Sequence, residues 1–123
     1  MSEQNPYQST PPTPMSPADE KLWATLIHVG GILFSFLPAL IGYLVLRDRG
    51  PFIRAHTATA LNFQISFYIY AAVLVPISIV TLGIGSVLYA PLFIIALVFM
   101  IMAALAANRG EGYSYPLTIR FVS

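Results

Sequence analysis

His28 and His56, with Thr59, Asn62, Gln64 and Ser66 close behind the second, stand among long apolar runs of this 123-residue chain. Imidazoles, amides and hydroxyls in such surroundings can bind a metal, relay a proton, line a solute path or hydrogen-bond one helix to another. At about 100° per residue, His56, Thr59, Asn62, Ser66 and Tyr70 fall within about a third of a helical circumference and form one polar seam, with Gln64 and Tyr68 roughly opposite. A second set recurs at three-, four- and seven-residue steps upstream: Thr25, His28, Gly31 or Ile32, Ser35 and Gly42. Small and polar groups on one face predict close helix packing, because lipid supplies no hydrophobic force between helices. Catalysis finds no constellation. There is no HExxH pattern, the serines lack His and acid partners, and the chain has no cysteine, so no metal, cofactor or enzymatic activity is expected.

The elements that must position these groups follow from composition. Hydrophobic residues make up 57% of the chain and charged ones 9%, which predicts a multi-span membrane protein. No Asp, Glu, Lys or Arg lies between Arg54 and Arg109, and another charge-free run separates Lys21 from Arg47. A helix needs about 20 residues to cross a bilayer, so the expected fold is all-α: three transmembrane helices, near 17–46, 55–82 and 87–107, with a short extended carboxyl-terminal tail. Residues 1–15, rich in proline and polar residues, read as a disordered leader that does not resemble a cleaved signal. Ser16 and Pro17 then supply a helix cap and a first helical position. Pro38 is expected to kink the first helix; a re-entrant hairpin broken there ranks second, since its halves are too short to cross separately.

With three spans, the amino-terminal flank and the Gly83 turn share one side and hold only Lys21. Arg47, Arg49, Arg54, Arg109 and Arg120 lie on the other. The positive-inside rule then predicts an external amino terminus and a cytoplasmic carboxyl terminus in a bacterial plasma membrane. That topology sets His28 and His56 on opposite sides. It also lets the YSYPLTIR tail fold back beneath the bundle, where His56, Asn62 and Gln64 would form a docking rim. Trp23, Tyr43, Tyr89, Tyr113 and Tyr115, at or near helix ends, read as interface anchors.

Three segments, SPADEKLWATLIHVGG, GPFIRAHTATALNFQIS and AANRGEGYSYPLTIRF, together resemble the bacterial membrane family of domain of unknown function 4870, related to the Tic-twenty-like group. The resemblance covers about Ser16 to Phe121 and is carried most specifically by ALNFQ and YPLTIR. It implies a membrane protein without assigned activity and a distant analogy to protein translocation. The expected function is an interaction or accessory component of a membrane assembly, with a small transporter or channel subunit as the competing class. Expected partners are the lipid bilayer and other membrane proteins or further copies of the chain, with no nucleic acid.

Overall fold

The computed structural model describes residues 13–123, so most of the leader expected to be disordered, residues 1–12, lies outside the described residues. Four α-helices form, and among the described residues there is no strand: α1 is Pro17–Phe34, α2 Leu37–Leu46, α3 Pro51–Val80 and α4 Tyr89–Asn108, with a 3₁₀ turn at Ile84–Leu88. Ser16 caps α1 by accepting a hydrogen bond from the Asp19 amide at 3.2 Å, and Pro17 occupies the first turn, where a missing donor costs nothing.

The expected single helix over 17–46 is two helices. The break falls at Ser35, whose φ of 61° takes the backbone into the left-handed region and out of the helix. Pro38 sits just inside the start of α2, in the first turn, where proline is tolerated. The chain then doubles back, and the Met15 amide donates to the Arg49 carbonyl at 2.7 Å, so the start of α1 and the end of α2 share one end of the molecule. Two glycines permit this hairpin: a Cβ at Gly30 would lie 3.0 Å from the Pro38 ring, and one at Gly42 would lie 2.6 Å from Ile27 Cδ1.

Two helical segments are long and apolar enough to cross a membrane, Pro51–Val80 and Ile84–Asn108. Of the three expected crossing helices, two are candidates by length and composition, and the α1–α2 hairpin packs against them. The tip of the hairpin meets α3 at Tyr68, through Ser35 and the edge of Phe36, about 25 Å along the helix from Pro51. Beyond that level α3 continues for about 18 Å, packed against the 3₁₀ turn and the first turns of α4. Alanines dominate the interior, including Ala24, Ala39, Ala60, Ala103 and Ala107, which lets helix backbones approach closely and gain dispersion contacts. Large apolar side chains face outward instead, and the far tip is apolar as well: Val80 is 81% and Leu82 93% exposed.

The opposite end carries the charge. Glu20 of α1 is nearly buried and accepts a hydrogen bond from the Ile53 amide at 3.1 Å, satisfying one free donor of the first turn of α3 from a neighbouring helix. Arg54 pairs with Asp48 at 3.2 Å and Arg109 with Glu111 at 3.6 Å, both exposed. Lys21 lies against Gly110 at the end of α4.

Candidate functional site

The hairpin brings together the two histidines expected to lie on opposite sides of the membrane. His28 Nε2 and His56 Nδ1 are 2.9 Å apart, both residues being 1% exposed. The expectation failed because it rested on an unbroken first helix; once the chain reverses at Ser35, α1 runs alongside α3 from the charged end.

Each remaining ring nitrogen is also engaged. His56 Nε2 lies 2.8 Å from the Glu111 carbonyl, and His28 Nδ1 lies 2.6 Å from the Tyr115 hydroxyl. A carbonyl only accepts, so with neutral rings the network allows one assignment: His56 Nε2–H donates to Glu111, His28 Nε2–H donates to His56 Nδ1, and Tyr115 O–H donates to His28 Nδ1. Burial, with Tyr113 adding a smaller effect, pushes the Tyr115 hydroxyl well above the ordinary tyrosine range, so it keeps the proton this chain requires. Phe63 stacks on the Tyr115 ring at 4.1 Å. An added proton on either histidine would set two N–H donors against each other or remove the acceptor for Tyr115.

The seam on α3 meets the carboxyl-terminal tail. Asn62 Oδ1 accepts from the Phe121 and Val122 amides, each at 2.8 Å, while its Nδ2 donates to the Val122 carbonyl at 2.8 Å. Ser66 Oγ accepts from the Ile119 amide at 2.8 Å, and the Tyr70 hydroxyl donates to the Leu117 carbonyl. The tail thus descends past His56 and His28, turns at Pro116–Leu117, where Leu117 has a φ of 61°, and climbs back along α3. Non-helical backbone against an apolar bundle requires such partners, since unpaired amides and carbonyls are costly away from water. Tyr43 closes the path by donating to the Ser123 carbonyl at 3.0 Å.

Other residues singled out from sequence are placed differently. Gln64 faces away from the tail, 3.4 Å from Met100 Sδ and against Gly31, so the rim contains His56 and Asn62 without Gln64. Thr59 lines a cavity between α3 and the tail. Thr25 bonds back to the Lys21 carbonyl at 2.7 Å, Gly31 is the close-approach point of α1 with α3 and α4, and Ser35 pairs with Tyr68. Tyr43 and Tyr115, read as interface anchors, are 8% and 5% exposed and bond internally. Sequence reading missed Tyr115 as the partner of His28 and Glu20 as the cap of α3; the signal for Glu20 was an otherwise uncapped helix start at Gly50–Pro51.

The model of the magnetosome magnetite crystal formation protein family, MamF/MmsF, matches residues 19–122. The chain belongs to that family. No curated protein and no solved structure matches it. The assignment replaces the resemblance to the family of domain of unknown function 4870 and the Tic-twenty-like group, and with it the analogy to translocation. The matched span holds the hairpin, both candidate spans and nearly all of the tail, so the latch built by His28, His56 and Tyr115 lies wholly within the MamF/MmsF region.

The imidazole chain ends on a backbone carbonyl, which cannot pass a proton onward, and all four ring nitrogens are already partnered. Among the described residues no group of three His, Cys, Asp or Glu side chains gathers to bind a metal ion. The seam spends its amide and hydroxyls on the tail. What the arrangement does chemically is fix an extended segment in one place on a helical membrane unit.

Proposed function

We propose that the chain is a non-enzymatic accessory component of the magnetosome membrane that supports magnetite formation from the cytoplasmic face, through partners bound there. The observation that carries this reading is the one-sided distribution of charge. Lys21, Arg47, Arg49, Arg54 and Arg109, with Asp19, Glu20, Asp48 and Glu111, all fall at the end where α1 starts, α2 ends, α3 starts and α4 finishes, and Arg120 lies on the returning tail in the same half, between the levels of Asn62 and Ser66. The far end, around Val80–Leu88, carries no ionisable side chain. Every basic residue outside the leader then obeys the positive-inside rule if that charged end faces the cytoplasm, a better fit than the three-span arrangement with an external amino-terminal flank.

A crystal surface or dissolved iron would be recognised by carboxylates and other hard oxygen donors. In this orientation the tip toward the vesicle interior has no carboxylate, which favours action through the membrane and its other proteins over direct templating. The tail, locked by Asn62, Ser66 and the histidines, supplies a fixed surface at the cytoplasmic rim. A polar path through the bundle is disfavoured by the same contacts, because the seam that would line it is filled by the tail.

Deleting the gene in a magnetite-forming bacterium tests the role. Crystal size or number should change while magnetosome vesicles still form, and Asn62→Leu, which frees the tail, should fail to restore normal crystals. Unchanged crystals after deletion would overturn the reading. Normal rescue by a variant bearing Arg47→Gln, Arg49→Gln and Arg54→Gln, and lost rescue on altering Ile84 and Val87, would move the working face to the opposite tip.

A further inference from the structure

Between the first three turns of α3 and the returning tail lies a cavity of about 300 Å³. Ala55 and Ala58 leave the α3 side of this space open, and Thr59, Ser114 and Thr118 add hydroxyls to its walls. Thr118 Oγ1 is buried and has no hydrogen-bond partner among the described residues, an uncompensated polar atom of the kind that a bound group would satisfy. Arg120 reaches the same cavity and pairs with no carboxylate among the described residues, unlike Arg47, Arg54 and Arg109.

We infer that this cavity binds a phosphate group, supplied by the headgroup of an anionic phospholipid. A guanidinium presents planar paired donors that match phosphate oxygens, and hydroxyls complete the shell as further donors. The volume suits a headgroup phosphate with its neighbouring ester atoms and is at the lower limit for small-molecule sites. Position agrees with the chemistry. Ala55 to Asn62 lie about 6–16 Å along α3 from its start, beside the arginine-bearing loop, where phospholipid headgroups meet a membrane helix. Acyl chains can then run along the exposed apolar lower part of α3, past Ile69 and Val73. The tail would thereby be held by a lipid as well as by Asn62, which ties its docked position to membrane composition.

The inference is independent of any role in mineral formation, since it needs only the cavity and a bilayer. Purified full-length chain, reconstituted into vesicles of equal phosphatidylglycerol and phosphatidylcholine and re-extracted in mild detergent, is assayed for retained lipid by mass spectrometry. The wild-type chain should retain phosphatidylglycerol preferentially. Arg120→Gln should reduce that preference about fivefold, as expected for one basic residue near the membrane surface, and Thr118→Val should reduce it less. Helix content should stay unchanged, because Arg120 is exposed and forms no ion pair with the rest of the described chain. Arg109→Gln, on the same face but outside the cavity, should leave the preference intact. A parallel arm adds inorganic phosphate to delipidated protein. Arg120-dependent thermal stabilisation by phosphate without lipid preference would assign the site to the free anion and keep the phosphate chemistry. Equal loss in Arg109→Gln and Arg120→Gln, or neither lipid preference nor stabilisation by phosphate, would overturn the proposal.

Discussion

At the scale of single residues, Tyr115 and Asn62 hold the tail by different means and should fail differently. Tyr115→Phe keeps the ring stacked on Phe63 and removes only the hydroxyl, leaving His28 Nδ1 buried without its donor. An unsatisfied buried acceptor costs about 1–3 kcal/mol, so thermal stability in detergent should fall by that order while helix content is kept. Asn62→Leu removes three hydrogen bonds to the tail backbone at once and should expose residues 113–123 to added protease. Gln64→Leu, which loses only a weak contact to the Met100 sulfur, should not increase cleavage. The seam itself was legible, because helical spacing alone puts Asn62, Ser66 and Tyr70 on one side and Gln64 on the other. Its partner, the carboxyl-terminal tail, is expected from sequence only at the rim, and the path of the tail along α3 to Ser66 and Tyr70 is not. The pairing of His28 with Tyr115 spans most of the chain and exists only because α1 reverses, which no local pattern encodes.

Among the elements, the hairpin decides where everything else sits. Its two arms touch through glycine, and Gly42→Leu would drive a side chain into Ile27, whose Cδ1 already lies 2.6 Å from the site of a Cβ. Overpacking of this kind costs about 1–3 kcal/mol. A cysteine pair at Met15 and Arg49, adjacent through their 2.7 Å main-chain bond, should crosslink readily in the parent chain and much less with Gly42→Leu. From sequence, the apolar run from Leu22 to Leu46 satisfied the length requirement of a span, and Pro38 and Gly42 were read as a kink and as packing. The break is instead at Ser35, a residue type that carries no strong signal for positive φ, and its cost is offset by contacts with Tyr68 and the fit of Gly30 to Pro38. The long α3 and α4 segments were legible because uninterrupted apolar length needs no tertiary information. The start of α3 at Pro51, ahead of the expected Ala55, depends on a cap from Glu20 that lies on another helix.

For the whole molecule, the reversal of α1 places every Asp, Glu, Lys and Arg of the described chain in one half and leaves an uncharged apolar tip at the other end. Counting arginines gave a strong bias in either arrangement; only the number of crossings decided which side received Lys21. The central claim is therefore that the amino-terminal flank, the Arg47–Arg54 loop and the carboxyl-terminal tail share the cytoplasmic side. Since the chain has no cysteine of its own, single cysteines at Ser16, Arg49, Ser114 and Gly83 can be labelled one at a time with an impermeant thiol reagent. In sealed vesicles with the cytoplasmic face outward, the account predicts rapid labelling at 16, 49 and 114, and labelling at 83 only after the membrane is opened. Protection of position 16 while 49 and 114 react would contradict it, restoring a first segment that crosses the bilayer and separating His28 from His56.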